Sequence, residues 1–198
     1  MKPGLTKFWR HASAILLLAG AAAAAAARSQ SLTPPPSVVH ANELTLAGLR
    51  PGHDTLAEAK RRFGTKVVTD ASDGTEQWRD ACTGHAMMLE LSAKGVIQSV
   101  TISALESETG ACSGRRDILH EDQWQTGHGL HLGDSEDRVT TLYGDPNSSG
   151  PSVKGNQQLE LMYYAFDGAG SDAPQVMEVF CARDSGRVME ITLAYPSL

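Results

Sequence analysis

Two short stretches hold most of the residues that could do chemistry. Gly110-Ala111-Cys112-Ser113-Gly114 has the outline of a nucleophile elbow with cysteine at its centre. That geometry needs a buried strand before the nucleophile and a helix after it. Here a polar stretch precedes it and Arg115-Arg116-Asp117 follows, so it reads as a loop. His120, His128 and His131, with Glu121 and Asp122 nearby, form the one metal-like cluster. A metal requires side chains converging on a single point. In an extended segment His128 and His131 face opposite sides, and Gly127 and Gly129 loosen the spacing, which favours solvated or hydrogen-bonding histidines. His53 and His85 stand alone and read as structural or surface residues. No serine-hydrolase elbow, P-loop, dinucleotide fingerprint or Cys-x-x-Cys pair occurs. No metal and no cofactor are expected.

The N-terminus says where such residues would work. Lys2, Lys7, Arg10 and His11 precede Ala12–Ala19 and an alanine run that ends at Ala27, with small residues at Ala25 and Ala27. This is the layout of a signal peptide over residues 1–27, cleaved before about Arg28. The competing reading is a membrane anchor, but the apolar run is about 16 residues against the roughly 20 needed to span. No cysteine follows it at which a lipid could be attached. The expected product is periplasmic or secreted, with no stable membrane insertion after cleavage. Losing Lys2, Lys7 and Arg10 with no acidic residue leaves the chain three charges more negative than its full-length −6. Such a chain is a poor nucleic-acid binder, since phosphate neutralisation supplies most of that affinity. The cluster Lys60-Arg61-Arg62 sits where a helix ends, and there cations suit the dipole.

Residues 28–42 contain Pro34-Pro35-Pro36 and no apolar period, and read as a solvated linker. Beyond it, Gly133 to Pro146 reads as a helix with both ends written in. Asp134 or Ser135 caps it, Glu136 and Asp137 suit the dipole, and Val139, Leu142 and Tyr143 make one stripe. Gly144 and Pro146 stop it. Gly52 to Gly64 repeats this grammar with one extra residue, giving a helix over 54–63. Period-two alternation predicts strands over 87–92, 96–103 and 188–195, and further strands are expected over 76–82, 159–166 and 176–182. The chain therefore reads as a tandem duplication with a period of about 80 residues. The first α+β repeat covers 43–112, an inter-repeat loop 113–122, and the second repeat 123–198. Each repeat is expected to be one helix packed on a three-stranded antiparallel meander, and the two either pack together or continue one sheet.

These elements would position the remaining candidates. Cys82 ends one predicted strand and Cys112 follows another that points the same way, so a Cys82–Cys112 disulfide is the expected pairing in an oxidising compartment. Closing a loop of about 30 residues, it would contribute roughly 3–4 kcal/mol. A bond from either to Cys181, or three free thiols, are the alternatives. Cys181 lies on an inward-facing position and reads as a small buried hydrophobe. Trp78, Tyr164 and Phe166 lie on the two leading strands. If they share the open sheet face, then with Arg79 and Met162 they form an aromatic patch of the kind that dominates binding hot spots. Alternatively they fill the seam between the repeats.

The motif Gly133-Asp134-Ser135-Glu136-Asp137-Arg138-Val139…Tyr143-Gly144-Asp145-Pro146, followed by strands, resembles the SmpA/OmlA-type outer-membrane assembly lipoprotein domain. It is also similar to the tandem-repeat fold of the β-lactamase inhibitor protein. The first copy departs by its extra residue and by lacking the Asp-Pro, and the lipid-attachment cysteine is missing. The resemblance implies a non-enzymatic protein that binds other proteins through an exposed sheet face. The expected function is thus an exported, non-catalytic protein-binding or envelope-scaffold protein with a protein partner in the cell envelope. The alternative is a periplasmic metal- or cysteine-dependent enzyme using His120, His128 and His131, or Cys112.

Overall fold

The computed structural model describes residues 42–64, 68–70, 74–80, 84–104, 123–166 and 175–195. The described residues all belong to one compact unit. The segment read as a signal peptide, most of the expected linker, Cys82, Cys112 and His120 lie outside the described residues.

Both helices form where their end signals put them. Helix α1 spans Leu56–Phe63 and α2 spans Glu136–Tyr143. Thr55 caps the first and Ser135 the second, each accepting from the amide three residues on. Asp134 does not cap. Its carboxylate accepts from the His131 amide at 2.8 Å, as Asp54 accepts from the Arg50 amide at 2.8 Å, and so each closes the turn before its helix. Gly64 and Gly144 end the helices with φ of 86° and 76°, a region that only glycine enters without strain. Their ψ values are extended, so the chain leaves each helix straight rather than through a left-handed turn.

The strands are β1 (Val68–Asp70), β2 (Thr75–Asp80), β3 (His85–Leu91), β4 (Ile97–Ala104), β5 (Ser148–Lys154), β6 (Gln157–Phe166), β7 (Gln175–Ala182) and β8 (Val188–Ala194). They make one antiparallel sheet in the order β1-β2-β3-β4-β8-β7-β6-β5. This corrects the expectation of an α+β protein with one helix on each three-stranded meander. Among the described residues the chain is mostly β, with two eight-residue helices on a single eight-stranded sheet. A thin meander cannot bury enough apolar surface alone. The chain solves this by pairing β4 with β8, which puts Val100 opposite Leu193 and Ile102 opposite Ile191, all fully buried.

Each helix is followed by four strands, and the same bonds recur in both halves. Gly52 donates to Ile97 O and Gly133 to Val188 O; Leu56 donates to Gly95 O and Glu136 to Gly186 O. The core lies between the helices and the sheet face that carries Trp78, Met87, Leu89, Ile102, Tyr164 and Met177.

Candidate functional site

The register fixes what the other sheet face presents. On β3 and β4 it carries Met88, Glu90, Ser99, Thr101 and Ser103; on β8 and β7 it carries Glu190, Thr192, Glu178 and Phe180. Thr101 and Thr192 face each other across the β4–β8 seam with their hydroxyls 2.9 Å apart. Ser99 donates to Glu90 Oε2 at 2.9 Å. Above this polar floor is a groove of about 320 Å³ whose walls include Met88, Glu90, Val176, Glu178 and Glu190. Lys154, at the end of edge strand β5, reaches over it. Its ammonium pairs with Glu190 and stands 3.5 Å from the centroid of the Phe180 ring. Among the described residues the Glu178 carboxylate has no hydrogen-bonding or ionic partner. Among the described residues three carboxylates therefore face the groove against one ammonium, which makes it a cation-attracting surface.

Phe180 and Lys154 were not legible as partners, because nothing local predicts a side chain crossing from one sheet edge toward the middle. The aromatic patch drawn from the sequence does not form on the outer face. Trp78, Tyr164 and Phe166 are each 1% exposed or less and face the helices, as does the buried Met162. Trp78 packs edge-on against Phe63 with ring centroids 6.2 Å apart, and Tyr164 and Phe166 pack against Tyr143. Arg79 alone of that set is exposed. Of the tyrosine pair, it is Tyr163 that faces outward, opposite Glu178.

A second polar centre lies on the helix side. Glu43 is 1% exposed, yet its carboxylate is fully surrounded by donors. Oε1 accepts from the amides of Leu44, Thr45 and Gly127 at 2.9, 3.0 and 3.0 Å. Oε2 accepts from the His128 amide at 3.0 Å, lies 2.8 Å from His128 Nδ1, and accepts from the Tyr143 hydroxyl at 2.7 Å. Thr126 Oγ1 lies 2.7 Å from the Tyr143 hydroxyl oxygen and accepts from the Leu130 amide. Since Tyr143 gives its proton to Glu43, Thr126 is the donor in that contact. Burial alone would push the Glu43 carboxyl up. The Thr45 amide, the His128 ring, the Tyr143 hydroxyl and the His128 amide together outweigh it and hold the group below its ordinary value. Burial first, and then the Glu43 charge, push the Tyr143 phenol upward, so it stays a neutral donor.

Gly127 is required by this centre. A Cβ there would lie 2.6 Å from both Glu43 Oε1 and Thr45 Oγ1. Gly127→Ala is expected to destabilise the protein by about 2 kcal/mol by displacing the carboxylate from its donors. A urea titration checks this, and a loss below about 0.5 kcal/mol would show that the carboxylate can move without cost.

The histidines of the sequence-derived cluster are used separately. His128 turns to Glu43, while His131 Nδ1 lies 3.8 Å from Asp134. Among the described residues no three His, Cys, Asp or Glu side chains are grouped to hold a metal ion. His53 is exposed, and the half-buried His85 lies 5.0 Å from the ring of Trp124. Cys181 is buried and free, and burial, then Glu136 and Glu160, push its thiol up to about 12. It is not a nucleophile at neutral pH. Both cysteines of the expected disulfide, Cys82 and Cys112, lie outside the described residues. Among the described residues no helix is long and apolar enough to cross a membrane.

No protein-family model matches the chain, and no curated protein matches it. Among solved structures it is similar to a DUF4309 family protein (YjgB) from Bacillus subtilis, with a TM-score of 0.48 and 11% sequence identity over 78% of this chain and 88% of that one.

Proposed function

We propose that this chain is an exported, non-catalytic protein-binding module that holds a basic, extended segment of an envelope protein on its outer sheet face. The observation that carries the reading is the groove over β3, β4, β8 and β7, where among the described residues Glu90, Glu178 and Glu190 face a single ammonium. The opposite face is covered by both helices, so among the described residues this is the broad face of the sheet left for a partner. Its chemistry suits an extended peptide. Carboxylates attract Lys and Arg, hydroxyls supply exchangeable hydrogen bonds, and Met88 and Val176 offer apolar contact. The signal-like N-terminus supports the export part of the reading.

Charge reversal tests it. Glu178→Lys removes a carboxylate that has no partner among the described residues, so it should leave the melting temperature unchanged. Its affinity for a tetralysine peptide is expected to fall about tenfold, and the wild-type affinity should weaken steeply with added salt. Equal binding of tetralysine and tetraglutamate, or no effect of Glu178→Lys, would overturn the proposal.

A further inference from the structure

Lys154 is placed oddly for a surface lysine. It sits on edge strand β5, whereas its carboxylate partner Glu190 is on β8, with β7 and β6 between them in the sheet. Its side chain is still 43% exposed, so water remains available to it. Nevertheless the ammonium is drawn over the Phe180 ring, itself only 4% exposed, and onto Glu190. Reaching there costs a long side chain its rotamer freedom. A ring face combined with a carboxylate offsets that cost, because the ring's negative face and the charge both favour an ammonium. Aromatic faces are likewise what recognition sites for quaternary ammonium groups, methylated lysine among them, are built from.

We infer that the Phe180–Glu190 seat is an ammonium subsite, held by Lys154 in the free protein and yielded to a lysine side chain of the bound segment. The inference rests on the reading that the outer face binds a basic segment. One ring face admits one ammonium, so ligand and Lys154 exclude each other. On displacement the exposed Lys154 returns to water, and the neighbouring Glu178 is free to take a second cation. Lys154 thereby acts as a built-in competitor, which lowers apparent affinity by the fraction of molecules whose seat is empty.

The test uses the full chain and tetralysine as the probe. In the free protein the ε-methylene protons of Lys154 should be shifted upfield by the Phe180 ring current. Their return to the ordinary position as tetralysine saturates the protein is the expected result. Lys154→Ala should bind tetralysine about three- to tenfold more tightly, and adding Phe180→Leu should abolish that gain. If tetralysine binds but the Lys154 resonance does not move, the inference is overturned while the binding function stands. A gain in Lys154→Ala without that movement is the general effect of a removed charge and also overturns it. If tetralysine binds neither wild type nor Lys154→Ala, both readings fall.

Discussion

Replacing Glu43 with alanine should cost about 3–5 kcal/mol of folding stability, the range for removing one member of a buried charged network. The substitution would leave the amides of Thr45, Gly127 and His128 and the Tyr143 hydroxyl without their acceptor at a site that is 1% exposed. Each buried donor left unmet costs about 1–3 kcal/mol, and water entering the alanine cavity recovers part of this. Glu43→Gln keeps the shape but turns an NH₂ group toward converging donors, so about 2–3 kcal/mol is expected there. Urea unfolding with an unchanged denaturant slope is the measurement. A loss under about 1 kcal/mol for Glu43→Ala would mean that this carboxylate does not fix the chain entry to the second half.

The same residue predicts a pH dependence. The folded-state carboxyl is held below its ordinary 4.5, so Glu43 binds its proton more weakly when folded than when unfolded. Its stabilisation is therefore complete above pH about 4.5 and is lost as pH falls through the folded value. The stability gap between wild type and Glu43→Gln should be widest near neutrality and should close in acid. A series of urea midpoints from neutral to acidic pH reads this directly, and a gap that widened in acid would contradict the lowered value.

What was legible in the sequence is what local periodicity encodes. Ser135, Gly64 and Gly144 marked helix ends, and the alternation in 87–91 and 188–195 marked strands, because one buried face writes itself into consecutive residues. Strand β5, Ser148–Lys154, carried no such signal: an edge strand with mostly exposed residues has no need of apolar alternation, and it tolerates Pro151. The Glu43 centre was illegible for a different reason. Its donors Gly127, His128 and Tyr143 come from 84 to 100 residues away, and no spacing rule links them to residue 43. The one clue was Gly127, read as loosening the histidine spacing, when its absent side chain is what admits the carboxylate. The aromatics posed a binary choice that the sequence left open. Alternation says that Tyr163 and Tyr164 face opposite sides, but only the helix position decides which side is the core.

That choice has a consequence for Trp78, where alanine substitution should cost about 3–5 kcal/mol, the range for emptying a buried aromatic site. The indole fills the core beneath α1 against Phe63, and its Nε1 donates at 3.1 Å to the carbonyl of Gly64, which ends that helix. Tyr164 does the same in the other half, its hydroxyl donating at 3.1 Å to the carbonyl of Gly144. In both halves an aromatic from the second strand therefore satisfies a helix-terminal carbonyl and ties the helix to the sheet. Trp78→Ala removes volume and bond together, whereas Tyr164→Phe removes the bond alone and should cost about 1 kcal/mol. The double variant Trp78→Ala/Tyr164→Ala should approach the whole stability of a typical domain, about 5–15 kcal/mol, and be largely unfolded. An exposed hot-spot pair would behave in the opposite way, with stability unchanged within about 0.5 kcal/mol and only binding lost. Urea unfolding of the three variants separates these cases: a stable, folded double variant would place Trp78 and Tyr164 on a partner surface, and graded losses in the order Tyr164→Phe, Trp78→Ala, double variant place them in the core.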